Sequence, residues 1–273
     1  MDALLMASEP RRQLEALTSD PPHALLLVGI TGIGKFSVAS AWARQLTSPE
    51  HITIITPDEK GTLTIDAIRG LYKHTRSRQT QRQVVIIDHA EAMGVEAQNA
   101  LLKLLEEPRA GVTFVLTAPT DDSLLPTIMS RVQSVTLQCI EPQAMQAFTL
   151  KHAGSLSQQE IAQLLFMADG RPGIIATLLH DPAAFTHYKE LMQQAKNLLT
   201  ATAYERLSSI ATIAKSREDA IGVLEAMAHM IHLQLLRQPN DRLIDLADGI
   251  QETLARLSQN GNPRAQLTAL FGT

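Results

Sequence analysis

Between His23 and about Gln138, short continuous aliphatic runs alternate with longer stretches in which apolar residues recur every three or four positions. The runs ALLLV, ITIIT, VVIID, TFVLT and SVTLQ are continuous rather than alternating, which predicts strands covered on both faces. Helical stretches beginning near Lys35, Thr64, Val95 and Ser123 supply the cover, and strands alternating with helices give a parallel sheet.

After Cys139 the strand signal stops. EPQAMQAFTLKHAGSLSQQEIAQLLFMADGRPGIIATLLHDP predicts three short helices punctuated by Gly and Pro. Beyond Asp181-Pro182, Leu, Ile, Ala and Met recur at helical spacing through AFTHYKELMQQAKNLL, DAIGVLEAMAHMIHLQLLRQ and RLIDLADGIQETLARLS, with breaks at PND and NGNP. This pattern predicts a helical bundle whose Met-rich faces form its core. The opening MDALLMASEPRRQLEAL is charged too early, and its apolar run is too short, for a signal peptide or a membrane span; it reads as an amphipathic helix.

A chain of 273 residues, 45% of them hydrophobic, can bury a substantial core. Its formal charge of −4 provides no general basic field to capture nucleic acid, so any DNA contact has to be local or shared with partners. Arg69, Lys73, Arg76, Arg78 and Arg82 fall in a stretch without an acid, which could touch a phosphate backbone or simply form a solvated helix end and loop. The single cysteine, Cys139, excludes an internal disulfide framework and a Cys-based zinc site and fits a cytoplasmic protein.

The stretch GITGIGKFS places Gly29, Gly32, Gly34 and Lys35 after the first strand and before a helix, the context a phosphate-binding loop requires. A chance G-x4-G-K would appear only about 0.08 times in a chain of this length, so the match carries weight. Glycines let backbone N–H groups turn onto phosphates, Lys35 adds a point charge, and the helix N-terminus adds its dipole. Asp88, ending VVIID, has the position of a magnesium-side acid. However, Phe36 occupies the place of the magnesium-holding hydroxyl. Ser37 is rotated from it by about 100° along the helix. His89 follows Asp88 where hydrolytic relatives of this arrangement carry a Glu that polarises the attacking water. Metal positioning and water activation are both degraded, so intrinsic hydrolysis is not expected, and whether ATP or ADP binds at Lys35 stays open.

PPHALLLVGITGIGK, VVIIDHAEAM, EAQNALLKLLEEP, LLPTIMSRVQ and GRPGIIATLL, in that order, resemble the delta prime family of the bacterial DNA polymerase III clamp loader, AAA+ proteins related to gamma/tau. The correspondence runs from about Arg12 to Leu179, and NPRAQLTALF is similar to the family's closing helix. The resemblance implies an α/β fold: an AAA+ P-loop core with a parallel sheet over residues 1–139, a small helical lid domain over 140–181, and a C-terminal helical collar, used for oligomerisation, over 182–273.

The resemblance also implies roles. Ser130-Arg131-Val132 matches a Ser-Arg-Cys motif, at the end of a core helix, that presents its arginine to ATP on a neighbouring subunit. Arg131, with Ser130, is therefore the expected catalytic group in trans. A guanidinium reaching across an interface neutralises charge on the transferred phosphoryl group. Without the motif, Arg131 reads as a surface arginine at a helix C-terminus, favoured by the dipole. Val132 should preserve the small buried contact of the motif's cysteine. Thr117 matches a polar sensor position and joins Gly29, Gly32, Gly34, Lys35 and Asp88 as the candidate nucleotide-binding set, vestigial or functional. The arginine of a GSxRD segment that serves the chain's own nucleotide in gamma-like relatives is matched by Gly173, and Arg171 is too displaced to replace it. LTSPEH leaves no room for the family's zinc module, so no metal is expected.

The implied partners are gamma/tau and delta subunits, the sliding clamp, and primer-template DNA through the complex, with no membrane. Two alternatives remain: an ATP-hydrolysing gamma/tau-like subunit, which Phe36 and His89 oppose, and a regulatory nucleotide-binding P-loop protein, which SRV and the helical tail oppose. In VEAQNALLKLLEEP, Ala100, Leu101, Leu104 and Leu105 form an apolar stripe that Pro108 ends. Glu106-Glu107 reads as a solvated helix end.

Overall fold

The structure is a computed structural model that describes residues 4–74, 81–106, 109–154, 156–258 and 261–272. Much of the basic stretch noted above, including Arg76 and Arg78, and the residues Glu107 and Pro108 lie outside the described residues.

All five expected strands form. β1 (Ala24–Val28), β2 (Ile52–Ile55), β3 (Gln83–Ile87), β4 (Val112–Ala118) and β5 (Gln133–Thr136) make one parallel sheet in the order β2-β3-β4-β1-β5. Leu25 and Leu27 pack with Leu14, Trp42 and Val135, whereas Leu26 and Val28 pack with Leu101, Phe114 and Ile128. Successive side chains of β1 thus enter two different cores, and this is why its apolar run is continuous. The expected cover on both faces fails at the sheet edges, where Ile54 of β2 is 49% exposed and only Val135 of β5 is buried. The helices are α1 (Ser8–Ser19), α2 (Lys35–Leu46), α3 (Ile65–His74), α4 (Val95–Glu106) and α5 (Pro126–Met129). Fully buried Trp42 of α2 donates from Nε1 to Leu14 O and Thr18 Oγ1, each at 3.1 Å, and so pins α1 to the sheet's cover.

The three short helices expected after Cys139 are α6 (Pro142–His152), α7 (Gln158–Ala168) and α8 (Pro172–His180). A capping box starts α7: Ser157 Oγ accepts from Glu160 N at 3.3 Å while Glu160 Oε2 accepts from Ser157 N at 2.9 Å. Helix α7 ends at Asp169 and Gly170, both in the left-handed region, where a side chain on residue 170 would meet Ile140 O at 3.0 Å.

Residue contacts divide the chain into two compact units, Met1–Thr177 and Leu178–Thr273. The second holds α9 (Pro182–Thr200), α10 (Ala203–Ile213), α11 (Arg217–Arg237), α12 (Asp241–Ser258) and α13 (Pro263–Phe271). Its core gathers Leu198, Val223, Met227, Ile231 and Ile250, with Met192 and Met230 packed against it, so these methionines are core as expected. Helix α10 is not predicted by the helical spacing of apolar residues. Its start carries a second capping box, Thr202 with Glu205, that the apolar periodicity alone did not expose. Among the described residues no helix is long and apolar enough to cross a membrane.

Candidate functional site

The phosphate loop leaves β1 at Gly29 and enters α2 through Gly34, whose φ of 95° only glycine adopts easily. Lys35 is buried, and its Nζ donates to Gly29 O at 2.5 Å and to Ile30 O at 3.3 Å. Burial holds its pKa below the ordinary lysine value, opposed by the nearby carboxylates of Glu91 and Asp88. Phe36, in contrast, is 38% exposed.

The first turn of α8 sits directly on this loop. Ile174 N donates to Gly32 O at 3.2 Å, and a side chain on residue 173 would meet Gly32 O at 2.6 Å and Gly34 N at 3.0 Å. Gly32, with φ of 83°, has the complementary restriction: a Cβ there would come within 2.6 Å of Ile174 Cγ1. Arg171 is committed elsewhere, donating from Nε to Ala168 O at 3.0 Å and from Nη2 to Met167 O at 3.2 Å, which caps α7.

Beside the loop, at the end of β3, Asp88 Oδ1 accepts from Thr117 Oγ1 at 2.6 Å, and the same hydroxyl accepts from His89 N at 3.0 Å. Thr117 is fully buried and spends its hydroxyl tying β4 to the turn after β3. His89 stands at φ 54°, and its Nδ1 donates to Glu91 Oε1 at 2.9 Å. That bond raises the imidazole pKa above its ordinary value; burial opposes the rise and Asp88 assists it. Glu91 was not singled out from sequence, and its second oxygen, Oε2, is buried without a hydrogen-bond partner.

Arg131 lies in a different constellation. Proline at the first turn starts α5, which has only four residues rather than the longer core helix expected, and Ser130 caps it. Arg131 Nη1 donates to Thr127 O at 2.9 Å and to Ser130 Oγ at 3.0 Å, while Nη2 lies 3.0 Å from Glu106 Oε1. Glu106 is therefore not simply a solvated helix end: α4 delivers it to the turn after α5, a long-range pairing that local pattern does not encode. Val132 packs against the core, as expected for the residue in the place of a small buried cysteine. Among the described residues no hydrogen bond or ion pair joins Arg131 to the cluster around Lys35.

Gln98 is a further buried polar residue that no motif predicts. It is 7% exposed, donates from Nε2 to Met93 O at 3.0 Å and accepts Leu125 N at 2.8 Å. It thus connects the segment after β3 to the residue that starts α5. The available signal was an amide three residues before Leu101 on the buried face of α4.

The sheet order β2-β3-β4-β1-β5, the glycine loop entering α2 and the helical C-terminal region define an AAA+-like α/β fold. The solved gamma subunit-related protein of Thermotoga maritima has this fold, with TM-score 0.57 and 20% identity over 95% of this chain and 97% of that one. Residues 47–141 match the family model described as DNA polymerase III, delta subunit. The DNA polymerase III delta prime subunit of Pseudomonas aeruginosa is 28% identical over 202 residues, 65% of this chain and 61% of that relative. Replication factor C subunit 3 of Blastobotrys adeninivorans is 27% identical over 92% of this chain and 82% of its own length. The chain is thus similar to DNA polymerase III delta prime subunits, of whose length it spans about three fifths in the Pseudomonas relative.

Proposed function

We propose that the chain is a non-hydrolysing subunit of the DNA polymerase III clamp loader and that Arg131 completes the ATP site of a neighbouring subunit during loading of the sliding clamp. The observation that carries this reading is the lid seated on the phosphate loop through Gly173, in the place where a gamma-like subunit would carry an arginine for its own nucleotide.

Magnesium and triphosphate do not fit the chain's own loop as built. Phe36 offers no ligand, Lys35 is bonded to the loop's own carbonyls, and α8 lies against Gly32 and Gly34. His89, held by Glu91, differs in charge and placement from a carboxylate that would activate water. The chain contributes its chemistry from Arg131 instead. A guanidinium at the end of a short, proline-started helix is well suited to neutralising charge on a phosphoryl group bound by another subunit. Residues 182–273 would serve as the oligomerising collar. Gamma/tau and delta are the proposed subunit partners, primer-template DNA is met through the assembly, and the setting is cytoplasmic.

The test is ATP turnover of the isolated chain and of the chain assembled with a gamma/tau-type partner. The isolated chain should show negligible turnover, and the assembly should lose most of its turnover with Arg131→Ala. Brisk magnesium-dependent hydrolysis by the chain alone would refute the reading.

A further inference from the structure

The guanidinium of Arg131 is folded back on its own chain. Both Nη1 hydrogens have acceptors, Thr127 O and Ser130 Oγ, and these acceptors are uncharged. The only carboxylate that the described residues place beside it is Glu106, 3.0 Å from Nη2. The Arg131 side chain is 35% exposed, against 72% for Arg12 and 63% for Arg69, which also pair with carboxylates on the surface. Arg131 is retracted by comparison, and its partner comes from a different helix rather than from the next turn of its own.

We infer that Glu106 is an intramolecular holder of Arg131, a carboxylate that a neighbouring subunit's phosphates must displace before the arginine acts. This rests on the proposed role of Arg131 in trans. Carboxylate and phosphate oxygens seek the same guanidinium N–H groups, so contact with one competes with contact with the other. The magnitude favours a holder over a lock: a half-exposed ion pair shifts an equilibrium by a factor of up to about five, which a polyphosphate readily overcomes. Glu106 therefore sets how much ATP the neighbouring site needs, and it leaves the chemical step alone once the arginine has been handed over. Ser130 belongs to the same holding arrangement, because its hydroxyl accepts from the retracted Nη1.

The experiment is an ATP titration of steady-state turnover in the full chain assembled with a gamma/tau-type partner, using Glu106→Gln, Arg131→Ala and the double variant. Glutamine preserves the shape of residue 106 and removes its charge, and thermal unfolding should stay at the wild-type temperature. The expected result is a fall of about two- to fivefold in the half-saturating ATP concentration with kcat unchanged. Glu106→Gln should have no effect in the Arg131→Ala background. An unchanged half-saturating concentration, or a lowered kcat, overturns the inference. If Arg131→Ala itself leaves turnover intact, the role of Arg131 in trans fails instead, so the two failures are distinguishable.

Discussion

Two cations illustrate how differently one chain can treat the same charge. Lys35 is 8% exposed, bonded to the carbonyls of its own loop and held below the ordinary lysine pKa by burial. Arg131 stands at the turn after α5, where a carboxylate and two uncharged oxygens engage it and about a third of its side chain remains accessible. The first cation is tied into its own loop, next to the seam where α8 meets Gly32 and Gly34. The second is held at a surface by contacts weak enough to exchange. In the proposed reading, then, a phosphate loop need not report a phosphate-handling lysine, because glycines that can admit a nucleotide also admit the backbone of α8.

The largest expected contrast follows directly. In the assembled complex, Arg131→Ala should reduce the partner's turnover by about a thousandfold, the scale of an arginine finger. Lys35→Ala should leave it within about twofold, since that cation serves only its own loop in the proposed reading. Parallel kcat measurements test this. Comparable losses from the two substitutions would erase the distinction between the sites.

A second test concerns how α5 is held. Gln98→Leu keeps the size of the side chain but leaves Leu125 N–H and Met93 C=O without the amide that pairs them. The expected cost is about 1–3 kcal/mol for each group that water cannot reach, read from urea unfolding of the full chain. Stability equal to wild type would show that α5 is positioned by other contacts.

The seam itself is probed by Gly173→Ala. Its new methyl would fall 2.6 Å from Gly32 O, a backbone atom that cannot swing away, so the lid has to shift. Overpacking of this kind costs about 1–3 kcal/mol, and a single methyl belongs toward the lower end. A lower urea midpoint with an unchanged slope is the expected signature. An unchanged midpoint would mean that the lid is not pressed onto the loop.

These tests follow the boundary between what the sequence makes legible and what it does not. The central strands β1, β3 and β4 are readable because burial on both faces produces uninterrupted apolar runs, whereas β2 and β5 at the sheet edges are partly exposed. Phe36 and His89 are readable because the motifs around them fix where a hydroxyl and a carboxylate belong. Helix α10 is harder to read, since its buried Ile210 and Ile213 stand among Ser, Ala and Thr and its clearest signal is a cap. The partners of the functional cations are a different problem. Glu106 meets Arg131 across 25 residues of chain, and Gly173 meets Gly32 across still more, so neither pairing leaves a local period. Gln98 was visible as a polar residue on an apolar helix face, but its two bonds depend on where Met93 and Leu125 come to rest.

The smallest effect should come from His89, and its sign is fixed by the direction of its pKa shift. The bond to Glu91 raises the folded imidazole above the ordinary value of 6.5, so folding favours the protonated ring. The stabilisation is therefore fully present below that ordinary value and disappears as pH rises through the elevated folded one. His89→Gln, which keeps a hydrogen-bonding side chain but cannot titrate, should lose this contribution. The difference in urea midpoint between wild type and variant should be greatest in mildly acidic buffer and shrink to a constant in alkaline buffer. The change should be small, because half of the imidazole is exposed and solvent screens its carboxylate partners. A difference that is independent of pH would mean that His89 matters through its left-handed backbone rather than its charge.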